Sequence, residues 1–168
     1  WEVTGEKRAI KRFCPQVKLI PSRSIEPYYF DAPWSVALDR KKVLIVHPFI
    51  ESIAGQLQRR EQIWPGKDVL PQFQSVSYVR AVQSNAGAKT GFSDWFEALE
   101  SMKREISQAD FGVAIIGAGA YGFPLAAYVK SLGKQAIQMS GATQILFGIK
   151  GKRWDDHPVI SKFYNDAW

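Results

Sequence analysis

Apolar residues along the chain alternate between two patterns, short continuous runs and longer stretches at helical spacing. The clearest run is Val43-Leu44-Ile45-Val46, ahead of His47-Pro48. Four consecutive apolar residues, three of them β-branched, predict a strand buried on both faces, as in a parallel sheet. Comparable runs predict strands over Val17–Ile20, stopped by Pro21, and over Val76–Val82, Phe111–Ile116 and Gln135–Met139. Between them the spacing turns helical. Ile50, Ile53, Leu57 and Trp64 share one face, ended by Pro65-Gly66. Ser93 is placed to cap a helix with Phe92, Trp95, Phe96, Leu99, Met102 and Ile106 as its apolar stripe. Shorter helices are expected after Asp31 (Trp34, Ala37, Leu38), over Phe123–Leu132, with Gly133 as its stop, and over Ile145–Ile149, weakened by Gly148. Residues 1–16 carry no assignable pattern, and the aromatic tail with Phe163, Tyr164 and Trp168 is expected to pack back on the domain. Strands alternating with helices across short connections predict a single α/β domain over residues 1–168. Its expected form is a Rossmann-like, open, mostly parallel sheet of about five strands with helices on both faces.

The best-defined turn is Gly117-Ala118-Gly119-Ala120-Tyr121-Gly122, a G-x-G-x-x-G pattern between a strand and a helix. Glycines permit a tight turn and close backbone approach, and the free N–H groups opening the helix suit a phosphate. The same glycines also serve strand–helix packing. A dinucleotide site wants an acidic residue about 20 positions further on. The next strand ends in Gln138-Met139-Ser140-Gly141, without one, which makes an NAD(P)-type protein the weaker reading. No Walker-type loop occurs.

In such a sheet, ligands bind beyond the carboxyl ends of the strands. The residues expected there are His47 and Glu51, Gln83 and Ser84, the glycine turn, and Ser140-Gly141-Ala142-Thr143-Gln144. His47 can act as a base or bind a phosphate, and Glu51, one turn on, can orient it or bind a metal. Each has a purely structural alternative: a histidine satisfied by the backbone, and a carboxylate favoured at a helix N-terminus. Lys152 and Arg153 are placed to clamp a phosphate, or are a solvated basic loop.

Composition narrows the partners. The 168 residues are 46% apolar and 23% charged, with net charge +6. The excess gathers in residues 1–23, where Lys7, Arg8, Lys11, Arg12, Lys18 and Arg23 stand against Glu2 and Glu6, and around Lys150, Lys152 and Arg153. That favours anionic partners, nucleotides and sugar phosphates above nucleic acid, for which no motif is present. One cysteine, Cys14, excludes an internal disulfide and fits a reducing, cytoplasmic compartment. There is no signal-peptide pattern, no apolar run long enough for a membrane span and no Cys/His metal cluster. The chain opens on Trp1 and reads as a fragment of a longer protein.

The segment Asp110–Gly122, then Lys130-Ser131-Leu132-Gly133-Lys134 and the Gly141-Ala142-Thr143-Gln144 turn, resembles the C-terminal half of the GT-D-type glycosyltransferase-like proteins of bacteria. KKVLIVHPF, DWFEAL and GATQILFGIKGKRW are similar to an uncharacterised branch of that group. The resemblance spans residues 17–168. It implies a Rossmann-like domain that transfers a sugar from a nucleotide-sugar donor to a glycan or glycoprotein acceptor in surface-glycan synthesis, usually with a divalent metal such as Mn or Mg. Gly117, Gly119 and Gly122 match the sugar-nucleotide edge. The family's acidic D-x-E metal motif has no counterpart ahead of the first strand. That leaves two readings: a glycosyltransferase or its donor-binding half, with Gly117, Gly119, Tyr121, Gly122, Ser140, Gly141, Thr143, Gln144, Lys152 and Arg153 at the ligand; or a non-catalytic nucleotide- or sugar-phosphate-binding module.

Overall fold

The computed structural model describes residues 4–83 and 90–168. Ser84 and most of the expected 85–91 loop lie outside the described residues.

Four strands form one all-parallel sheet: β1 (Lys42–His47), β2 (Ser75–Arg80), β3 (Val113–Ile116) and β4 (Gln135–Gln138), in the order β2-β1-β3-β4. β1 and β3 are central, and their continuous apolar runs are buried on both faces. The helices are α1 (Thr4–Phe13), α2 (Ile50–Leu57), α3 (Arg60–Ile63), α4 (Trp95–Gln108), α5 (Gly122–Ser131) and α6 (Ala142–Leu146). Alternation along the central strands divides the core. Val43, Ile45, Val113 and Ile115 pack with Ile53 of α2, Ile63 of α3, Ile145 of α6 and Tyr28. Leu44, Val46, Ala114 and Ile116 pack with Leu99, Met102 and Ile106 of α4 and Leu125 and Val129 of α5. Helices therefore flank both faces.

The sheet has four strands where about five were expected, because Val17–Ile20 does not join it. Val17, Leu19 and Ile20 are largely exposed. The segment lies between Pro15 and Pro21, and proline removes ladder donors. The unassigned N-terminus instead forms α1, and the helix expected after Asp31 is a 3-10 segment, Trp34–Leu38. The stretch from Ile50 to Trp64 breaks after Leu57, which lets adjacent Ile63 and Trp64 both be buried. The helix over 145–149 lies earlier, at Ala142–Leu146, and Gly148 (φ 64°) closes it. Gly148 N–H reaches Ile145 O and Ile149 N–H reaches Gln144 O, the paired bonds of a Schellman stop. Gly133 (φ 74°) closes α5 the same way, as its position suggested.

α4 is capped one residue later than expected. Asp94 accepts the Glu97 N–H at 2.8 Å, while Glu97 accepts the N–H and hydroxyl of Ser93. Those bonds hold the Glu97 carboxyl below its usual range. Phe96, expected in the apolar stripe, is 70% exposed. The buried side of α4 runs Leu99, Met102, Ile106, which leaves Phe96 a partial turn off it. The aromatic tail does pack back: Phe163, Tyr164 and Trp168 lie against the core around Tyr28 and Trp64. Among the described residues, no helix is long and apolar enough to cross a membrane.

Candidate functional site

Strand order reverses between β1 and β3. From β1 the chain moves outward to β2, then returns past β1 to β3 and on to β4. Loops leaving adjacent carboxyl ends in opposite directions open a crevice, where ligands of such sheets bind. A pocket of about 390 Å³ lies there, lined by His47, Phe49, Gln83, Gly117, Gly119, Tyr121, Ser140, Gly141, Gln144 and Arg153. The connections after all four strands and the Arg153 segment that follows α6 thus meet at one point.

His47 ends β1. It is 3% exposed, and its Nδ1 accepts the Phe49 N–H at 3.0 Å. Burial pulls its pKa from the ordinary 6.5 down to about 4. The ring is therefore neutral at pH 7, with its proton on Nε2. A base that weak is poorly matched to neutral pH. The geometry makes His47 a hydrogen-bond donor to the pocket rather than a proton acceptor or a cation. Glu51 does not join it: its carboxylate pairs with the Arg80 guanidinium on the surface.

The glycines have different duties. A Cβ on Gly117 would lie 2.6 Å from both His47 Cδ2 and Thr143 Oγ1, and 2.8 Å from Ser140 O. Gly117 lets the floor of the pocket close. Gly119 (φ 52°) has open space around its missing side chain and is needed for conformation alone. Gly122 lies behind the lining, where a Cβ would be 2.7 Å from Gln138 Nε2. Tyr121 is buried and stacks on Trp95 at 5.2 Å, which anchors the turn against α4. The N–H groups of Ala118, Gly119 and Ala120 make no hydrogen bond to other described residues; the first bond of the turn is from Tyr121 N–H to Ala118 O.

On the other wall, Ser140 is held at φ 52°, an uncommon conformation for a residue with a side chain. Thr143 is fully buried below the lining, its hydroxyl 3.5 Å from Ile116 O. It supports the floor and does not face a ligand. The Arg153 guanidinium lies over Gly141, so close that a Cβ there would collide with it. It stacks on Trp154 at 3.8 Å and donates to Gln144 Oε1 at 3.3 Å. Lys152 is exposed and outside the lining. Phe49 went unselected in the sequence because an apolar side chain carries no mark of a site. Its N–H fixes the His47 ring and its own ring meets the imidazole edge-on at 5.3 Å.

No family model matches the chain, and neither does any curated protein or solved structure.

A hard divalent cation takes oxygen ligands, above all carboxylates. Among the described residues, no Asp or Glu lines the pocket and no group of three or more His, Cys, Asp or Glu could hold a metal ion. The donor set does not fit Mg or Mn. A larger hollow of about 1060 Å³ lies at the opposite edge, beneath the strands' amino ends, walled by Ile25, Trp34, Phe111 and Ile137. None of the candidate residues lines it.

Proposed function

We propose that this domain binds a nucleotide sugar as the donor half of a glycosyltransferase in bacterial surface-glycan synthesis. The carrying observation is the meeting of the glycine turn, the Ser140–Gln144 turn, His47 and Arg153 in one pocket at the strand-order reversal. Unpaired N–H groups and a guanidinium are the chemistry that recognises phosphate. Catalysis would then come from positioning the donor and stabilising the departing diphosphate, with the glycan or glycoprotein acceptor entering from the open side. A dinucleotide is disfavoured, because no acidic residue follows β4 to hold a ribose.

A second reading, a non-catalytic nucleotide- or sugar-phosphate-binding module, is favoured by one observation. Among the described residues that line the pocket there is neither a carboxylate nor a basic imidazole, so none of them is suited as a general base. Thermal unfolding in the presence of nucleotide sugars, nucleoside diphosphates and NADH tests both. Saturation at about 100 times Kd stabilises by about 2.7 kcal/mol, several degrees in Tm. A shift with a nucleotide sugar and turnover of that donor support the transferase. A shift without turnover supports the module. No shift with any nucleotide overturns both.

A further inference from the structure

The pocket is rich in donors. His47 Nε2–H has no partner among the described residues, although the side chain is 3% exposed and lines the cavity. Nε2 itself reaches the cavity surface, so this donor is available to an acceptor brought by a ligand. The N–H groups of Ala118, Gly119 and Ala120 lead into the ten-residue α5 and are equally unpaired among the described residues. Arg153 lines the same pocket and is held by its stack on Trp154 and its bond to Gln144, which restricts its planar fork of donors. Among the described residues that line the pocket there is no carboxylate.

We infer that the site takes the diphosphate of a nucleotide directly on backbone N–H groups, His47 Nε2–H and the Arg153 guanidinium, without a divalent cation held by this chain. The inference rests on the nucleotide reading above and adds how the charge is met. One fixed cation and several neutral donors replace the cation–carboxylate arrangement implied by the family resemblance. Only the phosphate oxygens are needed as acceptors, so chelation leaves binding intact.

Isothermal titration calorimetry of the chain with UDP, GDP, ADP and inorganic pyrophosphate, each in EDTA and in Mn²⁺, tests it. At least one nucleoside diphosphate is expected to bind in EDTA with a Kd that Mn²⁺ leaves unchanged. Arg153→Gln should weaken it by about tenfold to a hundredfold, the range for a hydrogen bond to a charged group. Arg153 is exposed, so this variant keeps its fold, and its ligand-free Tm verifies that. Binding that requires Mn²⁺ overturns the metal-free inference and leaves the nucleotide reading standing. An unchanged Kd in Arg153→Gln overturns the clamp. Pyrophosphate binding as tightly as every nucleotide, or no binding in either buffer, overturns the nucleotide reading itself.

Discussion

The burial of His47 leaves a signature in stability. Its folded pKa, about 4, lies below its ordinary 6.5, so the unfolded chain takes up a proton that the folded chain refuses. Its contribution is complete above pH 6.5 and is lost as pH falls towards 4. Between pH 7 and pH 5 the loss is about 2 kcal/mol by linkage. Urea unfolding at the two pH values should show that difference in the wild type, reduced by about this amount in His47→Asn. An equal pH dependence in both proteins would mean that the ring is solvated. The neighbouring glycines separate packing from conformation. Gly117→Ala places a methyl against His47, Thr143 and a backbone carbonyl, and should cost about 1–3 kcal/mol. Gly119→Ala meets open space and should cost only about 1 kcal/mol for its left-handed backbone. Denaturant midpoints rank the two; the reverse order would contradict the duties assigned here. That ranking was not legible in the sequence, where both are glycines of one motif. The motif located the turn, but which missing side chain faces a wall depends on β1 and the Ser140 turn. The same blindness placed Thr143 and Gly122 among the ligand groups, since residue type does not say which way a side chain faces.

At the scale of elements, the sequence was most legible where one residue pattern meets one environment. β1 and β3 are unbroken apolar runs because both faces are covered, and both were recovered. Val17–Ile20 has similar composition but lies along no neighbouring strand, and pairing is not written in the segment that would pair. α4 shows how a boundary is decided by side chains. Ser93, Asp94 and Glu97 are all competent at a helix start, and the bond from Glu97 N–H to Asp94 Oδ1 selects Asp94 as the cap. Asp94→Ala should therefore destabilise the domain by about 1 kcal/mol, and Ser93→Ala by less, since Ser93 keeps its N–H bond to Glu97. Chemical denaturation of the two variants checks the order. The consequence reaches the pocket, because Trp95, the first residue of α4, is the platform on which Tyr121 stacks.

Across the whole molecule, the pocket's second wall is tied to the far side of the domain. α6 starts at the Ser140–Gln144 turn and ends under α3: Trp64 Nε1–H donates to Leu146 O at 2.9 Å. One residue type then locks three segments that are distant in sequence. Gln56 of α2, 5% exposed, donates from Nε2 to Gly148 O at 2.5 Å and to Ala167 O at 3.0 Å, joining α2, the end of α6 and the aromatic tail. Gln56→Leu keeps much of the volume but strips both buried carbonyls of their donor. An unsatisfied buried group costs about 1–3 kcal/mol, and these two share one donor, so a loss near the upper end, about 3 kcal/mol, is expected. The loss should be local as well as global. With the Ala167 bond gone, the tail is held by Trp168 Nε1–H on Ile63 O and Asn165 on Ile63 O, while the left-handed Gly148 loses its lock over Ile63. Limited proteolysis should then cut between Phe163 and Trp168 faster than in the wild type, and nucleotide affinity should fall because α6 carries Gln144, the partner of Arg153. A variant destabilised yet equally resistant to cleavage would show that the Asn165 and Trp168 bonds and the aromatic contacts hold the tail without Gln56. A variant with unchanged affinity would show that the Gly141–Gln144 wall is positioned from the sheet side, through Thr143 and Ile116, and not from the helix layer.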